Sequence, residues 1–435
     1  MTTRILYWNI DKFGELVDKR GRPNPVKDAD YIEKVMTAAG PQFVVIVEVL
    51  SDDPTGQNSE SFRGSLRDSN TGPQECLKLL SEIAKYLGAD WKLVPPLHTG
   101  PSEAVAIFYD SRNWYFTGPN IWAGSLSDAP AQGRGAGSYP DQFSKAMSNR
   151  KIPGSSHNNP NLEENKCAAR VILRDSAGAL ISEIGGPKLH APYMATFMAE
   201  NPKGGDCKAV SIIAIHGPAS NQPATGYLTA LARAKEVSED LQGGEVRVVL
   251  GDFNLNSVAN DGVNFKLNST YHALTGAGSG YSLLLEAKGG KVVANESGGY
   301  PSFFGTYLEK TGAASYWPLG VNTSKYPGYR YTASSGKNFS LDNAYLKAKG
   351  FDLSKADLTV FNPIVGSPYT AYPSSENPHT GSRPLTNLLA ANFTPRAAVQ
   401  ETCTSQAPKG EQPRFDNAYK RFYETSDHLP LVIEF

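Results

Sequence analysis

Short apolar runs separated by polar segments form the main hydrophobic pattern of the chain. Val, Ile and Phe are frequent in these runs, and each run is too short for a helix of ordinary length, which is typical of buried β-strands. The runs predicted as strands are Ile5 to Trp8, Phe43 to Val47, Val105 to Tyr109, Ala168 to Leu173, Val210 to Ile215, Val246 to Leu250, Ala344 to Leu346 and Leu431 to Phe435. The sequence therefore predicts a fold built mainly on β-sheets.

Helical spacing of apolar residues occurs between some of these strands. The segments predicted as helices are Ala29 to Ala38, Glu75 to Leu87 and Thr225 to Leu241. The last of them ends at Gly243 and Gly244, and glycine commonly follows the end of a helix. The mixture predicts an α+β fold in which two β layers are flanked by helices.

Four segments have little sustained periodicity and are rich in Gly, Ser, Pro, Asn and Tyr. They cover residues 51–72, 111–165, 257–340 and 350–425, where we predict long loop insertions. Loops of this length are uncommon unless they are functional or disordered, and their many aromatic residues favour order.

The length of 435 residues could hold two or three domains. However, the candidate catalytic residues begin at Asn9 and end at His428, so we predict a single domain over residues 1–435.

The formal net charge is -1, from 42 basic and 43 acidic side chains. This balance excludes an overall field that attracts nucleic acid or anionic membrane, so any site for a polyanion must be local.

The cysteines and the amino terminus limit the class of protein further. Cys76, Cys167, Cys207 and Cys403 are scattered without a CxxC pair, which disfavours a zinc cage or a disulfide framework and favours buried reduced thiols, with a Cys167–Cys207 bridge as an alternative. No stretch approaches the roughly 20 apolar residues of a membrane span, so integral membrane association is not expected. Met1 to Arg4 leads directly into a strand rather than a signal peptide, which predicts cytoplasmic synthesis. Export as a toxin or effector without a cleaved signal is an alternative, and no protein partner is inferable.

Polar residues interrupt or follow the apolar runs at the strand ends. A charge in such a place is costly unless it is paired or bound to a metal. These residues are Asn9, Glu48, Glu103, His216, Asp252, Asn254, Asp342, Asp427 and His428. The set is rich in oxygen and carries two imidazoles, which suits Mg²⁺, with Mn²⁺ or Ca²⁺ as alternatives, better than zinc. Such a set could hydrolyse a phosphate ester, with imidazoles moving protons and an amide stabilising a developing oxyanion.

Seven segments in order along the chain resemble the endonuclease/exonuclease/phosphatase superfamily in its deoxyribonuclease I-like branch. They are Tyr7-Trp8-Asn9-Ile10-Asp11-Lys12-Phe13-Gly14, Val45-Ile46-Val47-Glu48-Val49, Ser102-Glu103-Ala104-Val105-Ala106-Ile107-Phe108, Ile215-His216-Gly217-Pro218-Ala219-Ser220, Gly251-Asp252-Phe253-Asn254, Leu341-Asp342-Asn343-Ala344-Tyr345-Leu346 and Ser426-Asp427-His428. The specificity comes from the order of the segments, because each one alone is weak or moderate evidence. The resemblance implies a four-layer α/β/β/α sandwich with the active site at one edge.

The resemblance also implies roles for the strand-end residues. Glu48 and Asp427 would hold the metal with help from Asn9. His428, braced by Asp342, would activate water, and His216, braced by Glu103, would assist the leaving group. Asp252 and Asn254 would orient the water and stabilise the phosphoryl oxygens.

The resemblance also implies an Arg that contacts phosphate, at the start of the strand before the one that carries His216. In this sequence Lys166 is at that position, and Arg170 follows four residues later. Lys meets phosphate only as a point charge.

The sequence thus predicts a metal-dependent phosphodiesterase, an endonuclease acting on DNA, with RNA as an alternative substrate. A sphingomyelinase-like phosphoesterase on the same fold is a second interpretation, since aromatic loops can insert into membranes. A binding module that has lost catalysis is a third, although none of the catalytic residues is missing from the sequence.

Overall fold

Two β-sheets packed face to face form the core of the molecule in the computed structural model. The structure describes residues 2–14, 32, 35–37, 39–50, 72–100, 103–118, 169–171, 173, 176–178, 190–218, 221–241, 243–255, 258–260, 265–267, 269–284, 291–292, 331–332, 337–338, 341–360, 425–426 and 428–435.

The first sheet has six strands and contains both the first and the last strand of the chain. Its members are β1 (Arg4–Phe13), β2 (Phe43–Leu50), β3 (Trp91–Gly100), β4 (Glu103–Asp110), β17 (Asp357–Val360) and β18 (Leu431–Glu434), in the order β17-β18-β1-β2-β4-β3. Only the β1–β2 pair is parallel. Arg4 pairs in register with Glu434, and their side chains form a salt bridge, so both ends of the chain lie inside this sheet.

The second sheet has seven strands. Its members are β5 (Trp114–Gly118), β6 (Ala169–Arg170), β7 (Tyr193–Ala199), β8 (Ala209–His216), β9 (Glu245–Asp252), β12 (Ser282–Leu283) and β16 (Asp342–Lys349), in the order β12-β16-β9-β8-β7-β5, with β6 also paired to β7. Its central β8 and β9 are parallel. The smaller strands, which lie outside both sheets, are β10 (Val258–Asn260), β11 (Phe265–Leu267), β13 (Lys291–Val292), β14 (Tyr331–Thr332) and β15 (Lys337–Asn338).

Successive side chains along the strands of the second sheet alternate between the face toward the first sheet and the opposite face. In β8, Val210, Ile212 and Ala214 join the cluster shared with the first sheet, whereas Ile213 and Ile215 belong to a second cluster on the opposite face. Successive side chains of a strand point to opposite faces, and both faces here are apolar because both are covered.

Helices cover the outer faces of the two sheets. They are α1 (Gly72–Leu87), α2 (Asn221–Arg233), α3 (Lys235–Ser238), α4 (His272–Thr275) and the 3₁₀ turn Ser269–Tyr271, and residues 32, 35–37 and 39 are also helical. Leu79, Leu80 and Ile83 of α1 pack on the first sheet, and Leu228 and Leu231 of α2 on the second. The predicted four-layer α/β/β/α sandwich is confirmed.

All eight predicted strands are present, but the sequence analysis missed several others. In β3 the prolines Pro95 and Pro96 interrupt the strand signal, and the register with β4 shifts between Val94 and Leu97. Proline is tolerated there because β3 is at the edge of its sheet. The run Tyr193–Ala199 is rich in Met and Ala rather than in β-branched residues, so it carried little strand signal.

Strands also occur inside segments that were predicted as long loops. Trp114–Gly118 lies in the segment 111–165, Ser282–Leu283 in 257–340, and Asp357–Val360 in 350–425. All three are short strands at the edges of their sheets. At an edge, pairing with the neighbouring strand rather than local propensity decides the structure. The prediction of a single domain with four insertions remains a prediction.

Two of the four cysteines lie in the described part of the chain. Cys76 and Cys207 are buried thiols that are not in disulfides, while Cys167 and Cys403 are outside the described residues. Among the helices that the structure describes, none has the length and apolarity that crossing a membrane requires.

Replacing Gly251 by Ala tests the close contact between β8 and β9. Gly251 has φ +154°, and a Cβ there would overlap the backbone oxygen of Ile215. We expect a loss of about 2–5 kcal/mol in the free energy of unfolding, from steric overlap and backbone strain together, measured by urea denaturation.

Gly226→Ala is the matched control. Gly226 lies in α2 with open space where a Cβ would be. Because Ala favours a helix over Gly by about 1 kcal/mol, this variant should be unchanged or more stable. A Gly251→Ala protein as stable as Gly226→Ala would contradict the contact.

Candidate active site

The strand-end residues converge at one edge of the sandwich. In the second sheet, His216 lies opposite Asp252 in the β8–β9 register, and Asp252 lies opposite Asp342 in the β9–β16 register. In the first sheet, Asn9 on β1 is next to β2, which carries Glu48. The structure thus brings together residues from both sheets that are hundreds of positions apart in sequence.

An irregularity in β2 directs Glu48 toward this edge. Glu48 has φ 56°, and the register between β2 and β4 shifts between Ile46 and Val49. The β1–β2 register also shifts, between Asn9 and Phe13. Bulges of this kind re-aim side chains and are common beside active sites, and a non-glycine residue with positive φ costs on the order of 1–3 kcal/mol.

The Gly-Asp-Phe-Asn segment forms a tight turn at the end of β9. The Asn254 backbone N–H donates to Asp252 Oδ1 over 2.7 Å, and its side-chain Nδ2 donates to the Gly217 oxygen over 2.8 Å. Asn254 has φ 48°, a conformation that Asn adopts more readily than most residues. Gly217 approaches the Phe253 backbone so closely that a Cβ would not fit. This turn locks the strand ends that carry His216 and Asp252.

Each catalytic imidazole predicted from the sequence has a carboxylate behind it. His216 Nδ1 lies 2.7 Å from Glu103 Oε2, and His428 Nδ1 lies 2.7 Å from Asp342 Oδ2. The opposite nitrogens face the acids at the edge of the sandwich. His216 Nε2 is 3.3 Å from Glu48 Oε1 and 3.9 Å from Asp252 Oδ2, and His428 Nε2 is 3.6 Å from the same Asp252 oxygen. Both predicted bracing contacts are therefore present.

Asn9 connects the carboxylates of the two sheets. Its Nδ2 donates to Glu48 Oε1 over 2.7 Å and to Asp252 Oδ2 over 3.2 Å. Its Oδ1 accepts from the Asp11 backbone N–H over 3.0 Å, which fixes the orientation of the amide. Asn9 is fully buried, so its hydrogen bonds place the acids rather than face solvent.

The carboxylates shift the pKa values of one another and of the imidazoles. Burial lowers the pKa of His216, but the hydrogen bond with Glu103 and the charges of Glu48, Glu103 and Asp252 outweigh it and raise the pKa to about 9. Burial raises the pKa of Asp252, opposed by His428 and reinforced by Asp342. Burial also acts to raise the pKa of Glu103, but His216 and His190 lower it below its usual value. Perturbed groups gathered in one place favour a functional site.

Groups of imidazoles and carboxylates here could hold a metal ion. Three such groups have ligand atoms within 4.8 Å of one another: Glu48–His216–Asp252, Asp252–Asp342–His428 and Glu103–His190–His216. Four acids lie close together, with Asp252 and Asp342 almost fully buried. The charge of such a cluster suits a divalent cation, and the oxygen-rich part around Glu48 and Asp252 suits a hard one.

Some predicted residues fall outside the described part of the chain. Asp427 and Lys166 lie outside it, so their metal-binding and phosphate-binding roles remain predictions. Only the backbone of Arg170 is described, where it pairs with Tyr193 of β7. In the structure, the strand before the one that carries His216 is β7, which begins at Tyr193 and which the sequence analysis did not predict.

Sequence reasoning missed three residues that contact the site. His190 precedes β7, and its ring stacks on His216 with centroids 4.8 Å apart. The Tyr7 hydroxyl donates to Asp342 Oδ1 over 3.0 Å, and the Ser426 hydroxyl donates to the Asn9 oxygen. His190 had the same signal as the other residues, a polar side chain at the end of an apolar run, but the run was not recognised as a strand.

Comparisons with known proteins give structures of low similarity. No protein-family model and no curated protein matches the chain. A structure of Danio rerio TDP2 complexed with a single-strand DNA product matches with a TM-score of 0.42 and 8% identity, covering 100% of this chain and 98% of that one. The human Nocturnin catalytic domain with bound sulfate matches with a TM-score of 0.40 and 10% identity, covering 100% and 93%.

An endonuclease/exonuclease/phosphatase from Bacteroides vulgatus matches with a TM-score of 0.40 and 10% identity, covering 100% of this chain and 98% of that one. At this level of similarity, what the chain does has to be argued from its own residues.

The raised pKa of His216 makes stability depend on pH in a defined direction. Because the folded-state pKa of about 9 exceeds the ordinary value of 6.5, the stabilisation is fully present below about pH 6.5 and is lost as pH rises through about 9. In chelator, the stability advantage of the wild type over His216→Gln should therefore shrink between these values, measured by urea denaturation at each pH.

Glu103→Gln gives the matched comparison for this pH effect. In a chain that carries Glu103→Gln, the difference in the free energy of unfolding between His216 and His216→Gln should depend much less on pH, because the bracing carboxylate is gone. An advantage of the wild type that is constant, or that grows, from pH 6 to pH 9 would show that His216 is not held as an imidazolium.

Proposed function

We propose that the chain is a divalent-metal-dependent phosphodiesterase, and specifically an endonuclease that hydrolyses DNA. The observation that carries the proposal is the pair of carboxylate-braced imidazoles, His216–Glu103 and His428–Asp342, whose Nε2 atoms face the same Asp252 carboxylate. One phosphodiester between two imidazoles would meet a base on one side and an acid on the other.

The donor set fits a hard divalent cation such as Mg²⁺, with Mn²⁺ or Ca²⁺ as alternatives. Glu48 and Asp252 supply carboxylate oxygens, Asn9 holds both in place, and Asp427 is the further ligand predicted from the sequence. When bound, the cation neutralises charge on the phosphoryl oxygens. A cluster with this excess of buried acid is costly without a counter-charge, which supports cation binding.

His428 is the candidate base that activates water. Asp342 accepts from the ring Nδ1, so the tautomer with the proton on Nδ1 leaves Nε2 to take a proton on the side facing Asp252. Asp342 is itself fixed by the Tyr7 hydroxyl. This arrangement holds the ring in one orientation through the reaction.

His216 is the candidate acid that protonates the leaving oxygen. Against the effect of burial, Glu103, Glu48 and Asp252 raise its pKa to about 9, so the ring carries a proton on both nitrogens at neutral pH in the metal-free protein. Nδ1 stays with Glu103, so Nε2 is the donor. Asp252 and Asn254, held in their turn by the 2.7 Å hydrogen bond, are placed to orient water and phosphoryl oxygens.

The choice of DNA rests on the sequence motifs and on one local charge. Seven motifs in the order of the deoxyribonuclease I-like branch support a nucleic-acid substrate. Lys12, an exposed cation three residues after Asn9, is close enough for its charge to lower the pKa of Glu103. A cation at the edge of the site favours a phosphate-bearing substrate although the chain as a whole is nearly neutral.

Replacing His428 or Asp252 by Ala should reduce Mg²⁺-supported plasmid nicking by about 10²- to 10⁴-fold, because each removes a group that moves a proton or orients the reacting atoms. Nicking is measured by gel electrophoresis, with circular dichroism to confirm folding. His272→Ala, an exposed histidine on α4, is the control and should retain full activity.

Undiminished nicking by folded His428→Ala would overturn the assignment. Parallel incubation with single-stranded DNA, RNA and sphingomyelin vesicles identifies the substrate. Release of phosphocholine without nicking would replace the endonuclease proposal by a sphingomyelinase-like activity, and no hydrolysis of any substrate would favour a binding module.

Glu48→Gln should raise the Mg²⁺ concentration for half-maximal activity by about 10- to 100-fold. The amide keeps the size of the side chain but removes its charge. The rate at saturating Mg²⁺ should fall much less than in His428→Ala. An unchanged Mg²⁺ requirement would show that Glu48 does not hold the cation.

A further inference from the structure

We propose that Glu103, His190 and His216 form a second metal site, selective for zinc-like transition ions, whose occupation switches off the proposed phosphodiesterase. The regulatory part rests on the proposed function, while the metal site itself does not. Among the described residues, this is the one group of potential ligands that carries two imidazoles.

The two imidazoles converge on one carboxylate oxygen. His216 Nδ1 lies 2.7 Å and His190 Nδ1 lies 3.4 Å from Glu103 Oε2. In a tetrahedral zinc site the metal is about 2.0–2.2 Å from nitrogen and oxygen ligands, so the ligand atoms are about 3.3 Å apart. The His190 separation of 3.4 Å is already close to that value, and His216 Nδ1 would have to move about 0.6 Å farther from Glu103 Oε2 to admit the ion.

Backbone contacts hold His190 in this position. The Tyr227 hydroxyl donates to the His190 oxygen over 3.2 Å, and the Ala191 N–H donates to the Thr99 oxygen over 2.7 Å. The Pro192 oxygen accepts from the Val171 N–H over 2.7 Å. His190 therefore belongs to a rigid strand entry, and a fixed set of ligands loses little entropy on binding a metal.

The three side chains are close to solvent but largely shielded. Their exposed fractions are 20% for Glu103, 10% for His190 and 13% for His216. An ion can reach them, and a water molecule can complete the coordination. Binding would release the Nδ1 protons to solvent, as metal sites with imidazole ligands do.

The composition of the ligands separates this site from the one around Glu48 and Asp252. Imidazole suits zinc, copper and nickel, whereas Mg²⁺ and Ca²⁺ take oxygen ligands. The two sites thus prefer different ions. Because Glu103 and His216 belong to both the zinc-like site and the proton-donating pair, zinc there would remove the candidate acid.

The test is calorimetric titration of Zn²⁺ into the full chain in saturating Mg²⁺, with the wild type, His190→Asn and His272→Asn compared. We expect one tight zinc per wild-type chain and at least about tenfold weaker binding in His190→Asn, because a ligand is lost. His272→Asn should bind like the wild type. Equal affinity in His190→Asn and the wild type, or no tight zinc in the wild type, would overturn the site.

X-ray absorption of the zinc-loaded wild type keeps the proposal testable if His190→Asn fails to fold. Two imidazole nitrogens with oxygen ligands are expected, and one or no imidazole would overturn the site. In the nicking assay, the zinc concentration for half-inhibition should rise at least about tenfold in His190→Asn, in parallel with the loss of affinity.

The two proposals fail in different ways. Tight zinc that depends on His190, in a chain with no phosphodiesterase activity, would contradict the proposed function and leave the metal site standing. Activity that zinc leaves unchanged, although zinc binds through His190, would contradict the inhibitory role.

Discussion

The hydrogen bonds of Asn9 are the interaction on which the arrangement at the edge of the sandwich depends. This amide lies in the first sheet and donates both to Glu48 of the same sheet and to Asp252 of the second. Hydrogen bonds to charged groups are worth about 1.5–3 kcal/mol each, and a buried carboxylate without them costs more than that. The amide therefore fixes how the carboxyl groups of two separate sheets lie against each other.

The ends of the chain are tied to the same place. The Trp8 indole donates to the His428 backbone oxygen over 2.9 Å. The Ser426 hydroxyl donates to the Asn9 backbone oxygen and accepts from the His428 backbone N–H. Since β18 pairs with β1, the last residues complete both the first sheet and the position of His428. The strand pairing that completes the first sheet therefore also places His428 at the site.

Local strain is concentrated where the chemistry is proposed. Among the described non-glycine residues, positive φ occurs at Asp11, Lys12, Glu48 and Asn254, all at or beside the site. Each costs on the order of 1–3 kcal/mol, which the packed strands on both sides offset. The proposed zinc-like site depends on the same packed strands, because His190 lies just before the start of β7.

The sequence by itself determined eight of the strands, two β layers flanked by helices and most of the strand-end residues, because burial forces apolar runs to alternate with turns and makes an interrupting charge conspicuous. The four-layer class was implied by the family resemblance. The sequence predicted the Glu103–His216 and Asp342–His428 pairs through the family resemblance, and the geometry agrees with both. It did not find β7 and therefore missed His190, since Met and Ala carry little strand preference on their own.

Only the tertiary structure decided which nitrogen faces which acid, how the bulge aims Glu48, and that His190 stacks on His216. These are distances between residues far apart in the chain, and pairing across two sheets fixes them. No local pattern in the sequence encodes them.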